Sequence, residues 1–186
     1  TNNAHPHATE KVAVVHNGII ENYAEIKEEL KSLQCRFETE TDTEVIAHLI
    51  THYLTQGLSP QEAADKALER LEGAYALAII FAGEHDLMIG ARHGTPLAVG
   101  YGEGEMFLAS DSYALAPLTK KIMYLEEGDW TVITAANAEV FDADGTPFVA
   151  AGTTVHVSGR VGGMSGGLAP SASFWMLRTT PRVRHG

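Results

Sequence analysis

Three residues in the first quarter of the chain carry groups that could do chemistry together. Val12–Val15 is a short valine-rich run of the kind that forms a buried strand, and Asn17 and Gly18 follow where that run ends. An Asn carboxamide beside an accessible backbone N–H places two neutral donors at one point, as stabilisation of an oxyanion requires. Asp42 directly precedes an amphipathic helical pattern, where its carboxylate could bind the ammonium group of a substrate.

Each of these residues also has a simpler structural interpretation. An Asn-Gly pair is typical of a type I′ hairpin turn, which would explain Asn17 and Gly18 without any function. An acidic residue in the first turn of a helix interacts favourably with the helix dipole, which would explain Asp42. The residue types alone leave both interpretations open.

Histidine and cysteine usage argues against a metal site and against disulfides. His5, His7 and His16 could suggest zinc, but a proline separates the first two and no acidic or thiolate ligand lies nearby, so we expect no metal. The single cysteine, Cys35, excludes an internal disulfide and is compatible with the reducing cytoplasm, which is the compartment we expect.

Composition places the chain among soluble globular proteins. Of 186 residues, 45% are hydrophobic, and no apolar run approaches the roughly 20 residues of a membrane span. The net charge is −11, and all 24 acidic residues lie before residue 150. So acidic a body argues against nucleic-acid binding, which needs a basic surface.

The apolar periodicity predicts helices in one part of the chain and strands in the rest. Capping boxes are predicted at Asn22, Thr41 and Ser59, each followed by an amphipathic helix. We predict strands over 11–16, 36–38, 74–82, 87–92, 97–101, 106–109, 130–134 and 139–142. This segregation predicts an α+β fold with helices packed on sheets, and the 74–82 strand, apolar on both faces, should lie between layers.

Turn residues complete this description of the chain. The glycines at 100, 102 and 104 join two predicted strands and open no helix, so they indicate a hairpin rather than a phosphate loop. Ser110-Asp111 should cap a short helix, with a contact near a domain interface as the alternative, and Glu126–Asp129 should form a solvated turn. Composition changes after residue 158, so we predict one domain over residues 1–158 and a Gly-rich tail or linker over 159–186.

Five segments in fixed order closely resemble the glutaminase domain of glutamine–fructose-6-phosphate aminotransferases (glucosamine-6-phosphate synthases), and the resemblance extends from residue 1 to about 150. The segments are Asn3–His7, Val12–Asn22, Glu40–His48, Phe107–Asp111 and Leu125–Asp129. The resemblance implies an N-terminal-nucleophile hydrolase fold, a four-layer αββα sandwich. It also implies a cytoplasmic homo-oligomer without cofactors.

The chemistry implied by this resemblance is the release of ammonia from L-glutamine. In the family an N-terminal cysteine attacks the glutamine carboxamide, and the ammonia passes to a sugar-phosphate isomerase domain that yields glucosamine 6-phosphate. By motif, Asn17 and Gly18 resemble the oxyanion-hole pair, and Asp42 resembles the carboxylate that binds the substrate α-ammonium. The resemblance also places His5 close to the substrate, in a supporting role.

The chain departs from the family pattern in ways that bear on activity. The family's nucleophilic cysteine and its Arg-Trp-Ala-Thr-His-Gly motif, which clamps the substrate carboxylate, have no counterpart here. Cys35 is internal and lacks the α-amine that would serve as base. We therefore expect a domain without its first strands, which alone does not turn over glutamine. The alternatives are the glutaminase domain of another class-II amidotransferase, such as amidophosphoribosyltransferase, glutamate synthase or asparagine synthetase, and a non-catalytic glutamine-binding module.

Overall fold

The computed structural model describes residues 6–148 and 176–179, which form two antiparallel sheets and four helices. The strands are β1 His7–Ala8, β2 Val12–Ile20, β3 Gly73–Phe81, β4 Met88–His93, β5 Ala98–Tyr101, β6 Met106–Ala109, β7 Lys121–Tyr124, β8 Trp130–Ile133, β9 Ala138–Phe141, β10 Pro147–Phe148 and β11 Met176–Thr179. The helices are α1 Tyr23–Ser32, α2 Asp42–Thr55, α3 Pro60–Leu68 and α4 Ser112–Leu115. None of these helices is long and apolar enough to cross a bilayer.

The two sheets stack face to face, with helices on both outer sides. The larger sheet has the order β1-β2-β3-β4-β8-β9-β10, and the smaller has the order β11-β6-β5-β7. Helices α1, α2 and α3 share one core with the larger sheet, a second core lies between the sheets, and Leu115 of α4 packs on the outer face of the smaller sheet. The layers therefore follow each other as αββα, which confirms the predicted fold class.

Strand β3 shows how residue size divides the two cores. Its bulky residues Tyr75, Leu77, Ile79 and Phe81 face the helices. The alternate positions, Ala76 and Ala78, face the second sheet, as the period of two in a strand requires. The prediction that this strand lies between layers is confirmed.

Two of the three predicted capping boxes are wrong. Ser59 and Glu62 form the predicted box at the start of α3. The amide of Asn22 instead donates to Arg70 O and accepts from Glu72 N, so it ties α1 to the chain before β3. The Glu44 carboxylate binds the backbone N–H groups of Glu38 and Thr39 rather than that of Thr41. Long-range and loop partners outcompete the local cap at both positions.

The remaining differences concern short strands. Residues 36–38 form a loop, because the N–H of Glu38 is bound by Glu44 and not by a neighbouring strand. Strands β1, β7, β10 and β11 were not predicted from the sequence, and β1 and β10 have only two residues each. Met176–Thr179 was predicted to be tail or linker, and this prediction is wrong for these four residues because they pair with β6. The domain boundary at 158 stays a prediction.

Candidate functional site

Strand β2 presents Asn17 and Gly18 from within the sheet rather than from its end. The expectation that the strand stops before Asn17 is wrong, and so is the hairpin alternative, because β2 pairs with β3 without interruption as far as Ile20. Gly18 has a φ of 123°, and a Cβ at this position would lie 1.9 Å from the carbonyl oxygen of Ala74. Only glycine fits here, and its backbone is exposed at the surface of the strand.

Alternation along β2 sends neighbouring side chains to opposite faces of the sheet. Val12, Val14 and His16 are buried, and the first two belong to the core shared with the helices. Asn17 is half-buried on the opposite side, where its Nδ2 donates a hydrogen bond of 3.0 Å to Oγ of Ser110. Ser110 follows β6, so this bond joins the two sheets.

Asp42 is the first residue of α2 and lies against the same stretch of β2. Its Oδ2 accepts a hydrogen bond of 2.9 Å from the backbone N–H of Ile20, and its Oδ1 lies 3.7 Å from Nδ1 of His16. The side chain of Asp42 keeps 23% of its surface exposed. Gly18 and Asp42 are thus brought to one neighbourhood, where the carboxylate also benefits from the N-terminal end of the helix dipole.

Sequence reasoning assigned no role at this site to His16, Thr43 or Ser110. The ring of His16 is 3% exposed, and its Nδ1 lies 3.0 Å from Oγ1 of Thr43. The alternation of β2 was the available signal for His16, because it places that residue on the helix-facing side. We call the group formed by His16, Asn17, Gly18, Asp42 and Thr43 the β2 cluster.

Glu44 fixes the loop that leads into Asp42. Its carboxylate accepts hydrogen bonds from the backbone N–H groups of Glu38 and Thr39, at 2.7 and 2.8 Å, and from the Thr39 hydroxyl at 2.6 Å. Burial opposes ionisation, but these hydrogen bonds outweigh it and lower the pKa of Glu44 below its ordinary value. An ionised Glu44 carboxylate therefore holds the loop that leads into α2.

Comparison with known proteins identifies the family. A family model described as a glutamine amidotransferase domain matches residues 2–117. The chain belongs to the glutamine amidotransferase domain family.

Two bacterial relatives of this amidotransferase domain are named glutamine–fructose-6-phosphate aminotransferase (isomerizing). The protein from Bradyrhizobium diazoefficiens is 62% identical over 144 residues, and that from Gluconobacter oxydans is 60% identical over 144 residues. Each match covers 77% of this chain and 24% of the relative. The chain thus spans about a quarter of the length of these relatives.

Two solved structures of similar fold are named as a glutamine-dependent amidotransferase and a glutamine aminotransferase domain protein. Glutamine phosphoribosylpyrophosphate amidotransferase from B. subtilis, complexed with ADP and GMP, aligns with a TM-score of 0.61 and 28% identity, over 71% of this chain and 29% of that chain. A glutamine aminotransferase class-II domain protein from Silicibacter pomeroyi aligns with a TM-score of 0.59 and 19% identity, over 80% and 73%. The expected N-terminal-nucleophile hydrolase fold is confirmed.

The sequence of this amidotransferase domain also singled out His5 and Cys35. His5 lies outside the described residues. Cys35 follows α1 and packs against the core shared with the helices, and burial raises the pKa of its thiol. A raised thiol pKa leaves less of the nucleophilic thiolate, which fits the expectation that Cys35 does not substitute for a catalytic cysteine.

A second polar group, which we call the Arg92 cluster, lies where β4 meets the turn before β8. It consists of Arg92, His93, Glu127 and Asp129. The Glu127 carboxylate accepts a 2.7 Å hydrogen bond from Gly94 N and lies 3.6 Å from both Arg92 and His93.

The Glu126–Asp129 turn is less solvated than the sequence predicted. Asp129 is 6% exposed, its Oδ2 accepts from the N–H of Glu126, and burial raises the pKa of its carboxyl. Burial, together with the charge of Glu127, raises the pKa of nearby Tyr75 to about 12. The predicted cap at Asp111 is confirmed, because its carboxylate accepts from the N–H of Tyr113.

Proposed function

We propose that this domain hydrolyses glutamine and supplies the ammonia for an enzyme that makes glucosamine 6-phosphate from fructose 6-phosphate. The main support is the β2 cluster, in which the Asp42 carboxylate accepts a hydrogen bond from the backbone N–H of Ile20, two residues beyond Gly18. The choice of pathway rests on relatives 57–62% identical that are named for this reaction. The phosphoribosylpyrophosphate amidotransferase is only 28% identical, which makes that class-II activity the weaker candidate.

Asn17 and Gly18 supply the donors for the reacting carbonyl in this proposal. Attack of a thiolate on the carboxamide converts the carbonyl oxygen into an oxyanion, and hydrogen-bond donors fixed beforehand stabilise it by about 3–4 kcal/mol each. Two features support the assignment. Asn17 is held by Ser110, and Gly18 is exposed in a conformation that excludes any side chain.

Asp42 anchors the other end of the substrate. An α-ammonium group forms charge-assisted hydrogen bonds with a carboxylate, which are shorter and about twice as strong as neutral ones. The oxygen that accepts from Ile20 retains a second lone pair, and among the described residues Oδ1 meets Thr43 at 3.4 Å and His16 at 3.7 Å. The carboxylate is therefore oriented by the protein and keeps acceptor capacity for a ligand.

The remaining parts of the proposal follow from the family. The attacking group is an N-terminal cysteine, His5 assists near the substrate, and a sugar-phosphate isomerase domain on the same polypeptide receives the ammonia. The enzyme works in the cytoplasm as a homo-oligomer and needs no cofactor. Because Cys35 is half-buried against the core and burial raises the pKa of its thiol, we expect it not to act as the nucleophile, and residues 1–186 should release no ammonia from glutamine. Steady turnover by this chain would contradict that expectation.

The decisive experiment substitutes Asn17 in the longest chain that the gene encodes. Asn17→Ala should lower kcat for glutamine hydrolysis by about 100- to 1000-fold, the effect of losing one oxyanion donor, while the thermal midpoint stays close to that of the unsubstituted protein. Asn137→Ala, in the exposed turn between β8 and β9, is the matched control and should leave kcat unchanged. Hydrolysis at the original rate by Asn17→Ala would contradict the assignment.

Calorimetry, run beside the assay of ammonia release, separates catalysis from glutamine binding alone. A protein that binds glutamine by calorimetry but never releases ammonia, even as the whole encoded chain, would favour the non-catalytic glutamine-binding module. A protein that does neither would reject both alternatives.

A further inference from the structure

Ser110, in the connection that follows β6 of the smaller sheet, hydrogen-bonds the candidate oxyanion donor Asn17. Its Oγ accepts from Nδ2 of Asn17 at 3.0 Å, in a partly buried position and across 93 residues of sequence. Nothing about its residue type demanded this, because a serine before a capping aspartate is ordinary at a helix start.

The backbone around Ser110 is fixed on both sides. Ala109, directly before it, ends β6 and pairs with both Ala98 and Met176. Asp111, directly after it, caps α4 through the N–H of Tyr113 at 2.8 Å. The backbone is therefore held in place on both sides of Ser110, by the sheet before it and by the capped helix after it.

The chemistry of a carboxamide gives this contact a consequence. The Asn17 side chain carries two N–H donors on one planar group. When one donor is held by Ser110, the plane of the amide is set and the other N–H has a defined direction. A donor with a defined direction before the reaction costs no reorganisation when the charge develops.

We infer that Ser110 is a positioning residue, which acts through Asn17 by holding the plane of its carboxamide for the developing oxyanion. The inference rests on the proposed function for its kinetic consequence, but the contact itself can be tested without catalysis. Loss of the hydroxyl frees rotation of the amide and leaves substrate binding by Asp42 untouched. The loss should appear in kcat and not in KM.

The kinetic test is a double-mutant cycle in the longest chain that the gene encodes. Ser110→Ala should lower kcat for glutamine hydrolysis about 10-fold with KM unchanged, and Ser110→Thr, which keeps a hydroxyl, should restore most of it. In the Asn17→Ala background, Ser110→Ala should cause no further loss, because its partner is gone. Ser112→Ala, two residues further on at the start of α4, is the matched control and should leave kcat unchanged.

A cycle in which Ser110→Ala lowers kcat equally with and without Asn17 would overturn the inference, since Ser110 would then act by another route. An unchanged kcat in Ser110→Ala would overturn it too. If Asn17→Ala alone leaves hydrolysis intact, the proposed function of Asn17 fails, and the contact is then judged by spectroscopy alone.

The spectroscopic test uses residues 1–186 and the side-chain NH2 resonances of Asn17. With the hydrogen bond in place, the two protons should be well separated and exchange slowly with solvent. Ser110→Ala should bring them together and speed their exchange, whereas Ser112→Ala should not. Identical Asn17 resonances in Ser110→Ala and the unsubstituted chain would overturn the inference whether or not the domain is catalytic.

Discussion

The β2 cluster and the Arg92 cluster are both polar, both touch the larger sheet, and both lie in segments that the sequence marks as distinctive, yet they use their charges differently. In the Arg92 cluster, the Glu127 carboxylate faces a guanidinium and an imidazole. In the β2 cluster, no lysine or arginine among the described residues pairs with Asp42, which rests on a backbone N–H and near His16.

The Glu127 carboxylate is therefore already paired with a cationic side chain, whereas the Asp42 carboxylate, among the described residues, is not paired with a lysine or arginine. In the Arg92 cluster the carboxylate faces a cation of the same protein, and the hydrogen bonds to Leu125 O and from Gly94 N supply stability that a half-exposed ion pair alone would not. A carboxylate that is oriented by neutral groups but not neutralised keeps its attraction for a cationic ligand. Substitutions in the Arg92 cluster should therefore change stability, whereas most substitutions in the β2 cluster should change glutamine handling.

Gly18 is the exception within the β2 cluster and should show the largest effect on stability. Gly18→Ala combines a left-handed φ of 123° with a Cβ placed 1.9 Å from Ala74 O, so strain and overpacking add to a loss of about 3 kcal/mol. Gly57→Ala is the matched control, because Gly57 has a φ of 93° but no atom within 4 Å of the new Cβ. It should lose about 1 kcal/mol by urea denaturation. Equal losses in the two variants would show that the approach of Ala74 is unimportant.

Arg92 tests the structural side of the comparison and should show the next largest effect. Arg92→Ala removes the guanidinium that donates to Leu125 O and faces Glu127, for a loss of about 2 kcal/mol in the free energy of unfolding. Affinity for glutamine, measured by calorimetry, should not change. Lys66→Ala, which breaks an exposed pair with Glu69, is the control and should change stability little. A weakened glutamine affinity in Arg92→Ala would remove the distinction between the clusters.

Asp42→Asn tests the functional side. The amide oxygen can still accept from Ile20 N–H, so the thermal midpoint should move by no more than a few degrees. The lost charge should raise KM for glutamine, measured in the longest chain that the gene encodes, by about 10- to 100-fold, the range expected when a charge-assisted contact becomes neutral. An unchanged KM would leave Asp42 as a helix-start residue only.

The sequence predicted the layers and the neighbourhood of the site better than its contacts. Periodicity was enough to place β3 between layers, because strand alternation and residue size act locally. The continuation of β2 through Asn17 and Gly18 was missed, since Asn-Gly favours a turn unless a partner strand such as β3 imposes extension. The bond between Asn17 and Ser110 spans 93 residues, and no local pattern encodes it. The cap at Asn22 failed for the same reason, whereas at the Thr41 cap the Glu44 carboxylate is taken by N–H groups of the preceding loop.

The smallest expected effect compares two carboxylates whose pKa shifts have opposite signs. The pKa of Glu44, beside the β2 cluster, is lowered from 4.5, so its contribution to stability is present above pH 4.5 and is lost as the pH falls through its folded value. The pKa of Asp129 in the Arg92 cluster is raised from 3.8, so the folded state holds its proton more tightly. Asp129 therefore favours the folded state increasingly as the pH falls through its raised pKa towards 3.8.

Urea denaturation between pH 6.5 and about 3.5 measures both signs in one series. Glu44→Gln should flatten the acid-induced fall in the free energy of unfolding, because it removes a term that is lost in acid. Asp129→Asn should steepen that fall, because it removes a term that grows in acid. Exposed Glu10 supplies the control Glu10→Gln, which should follow the unsubstituted chain. Parallel pH curves for Glu44→Gln and Asp129→Asn would show that the two carboxyl groups contribute to the free energy of unfolding with the same sign. That result would contradict the opposite directions of their pKa shifts.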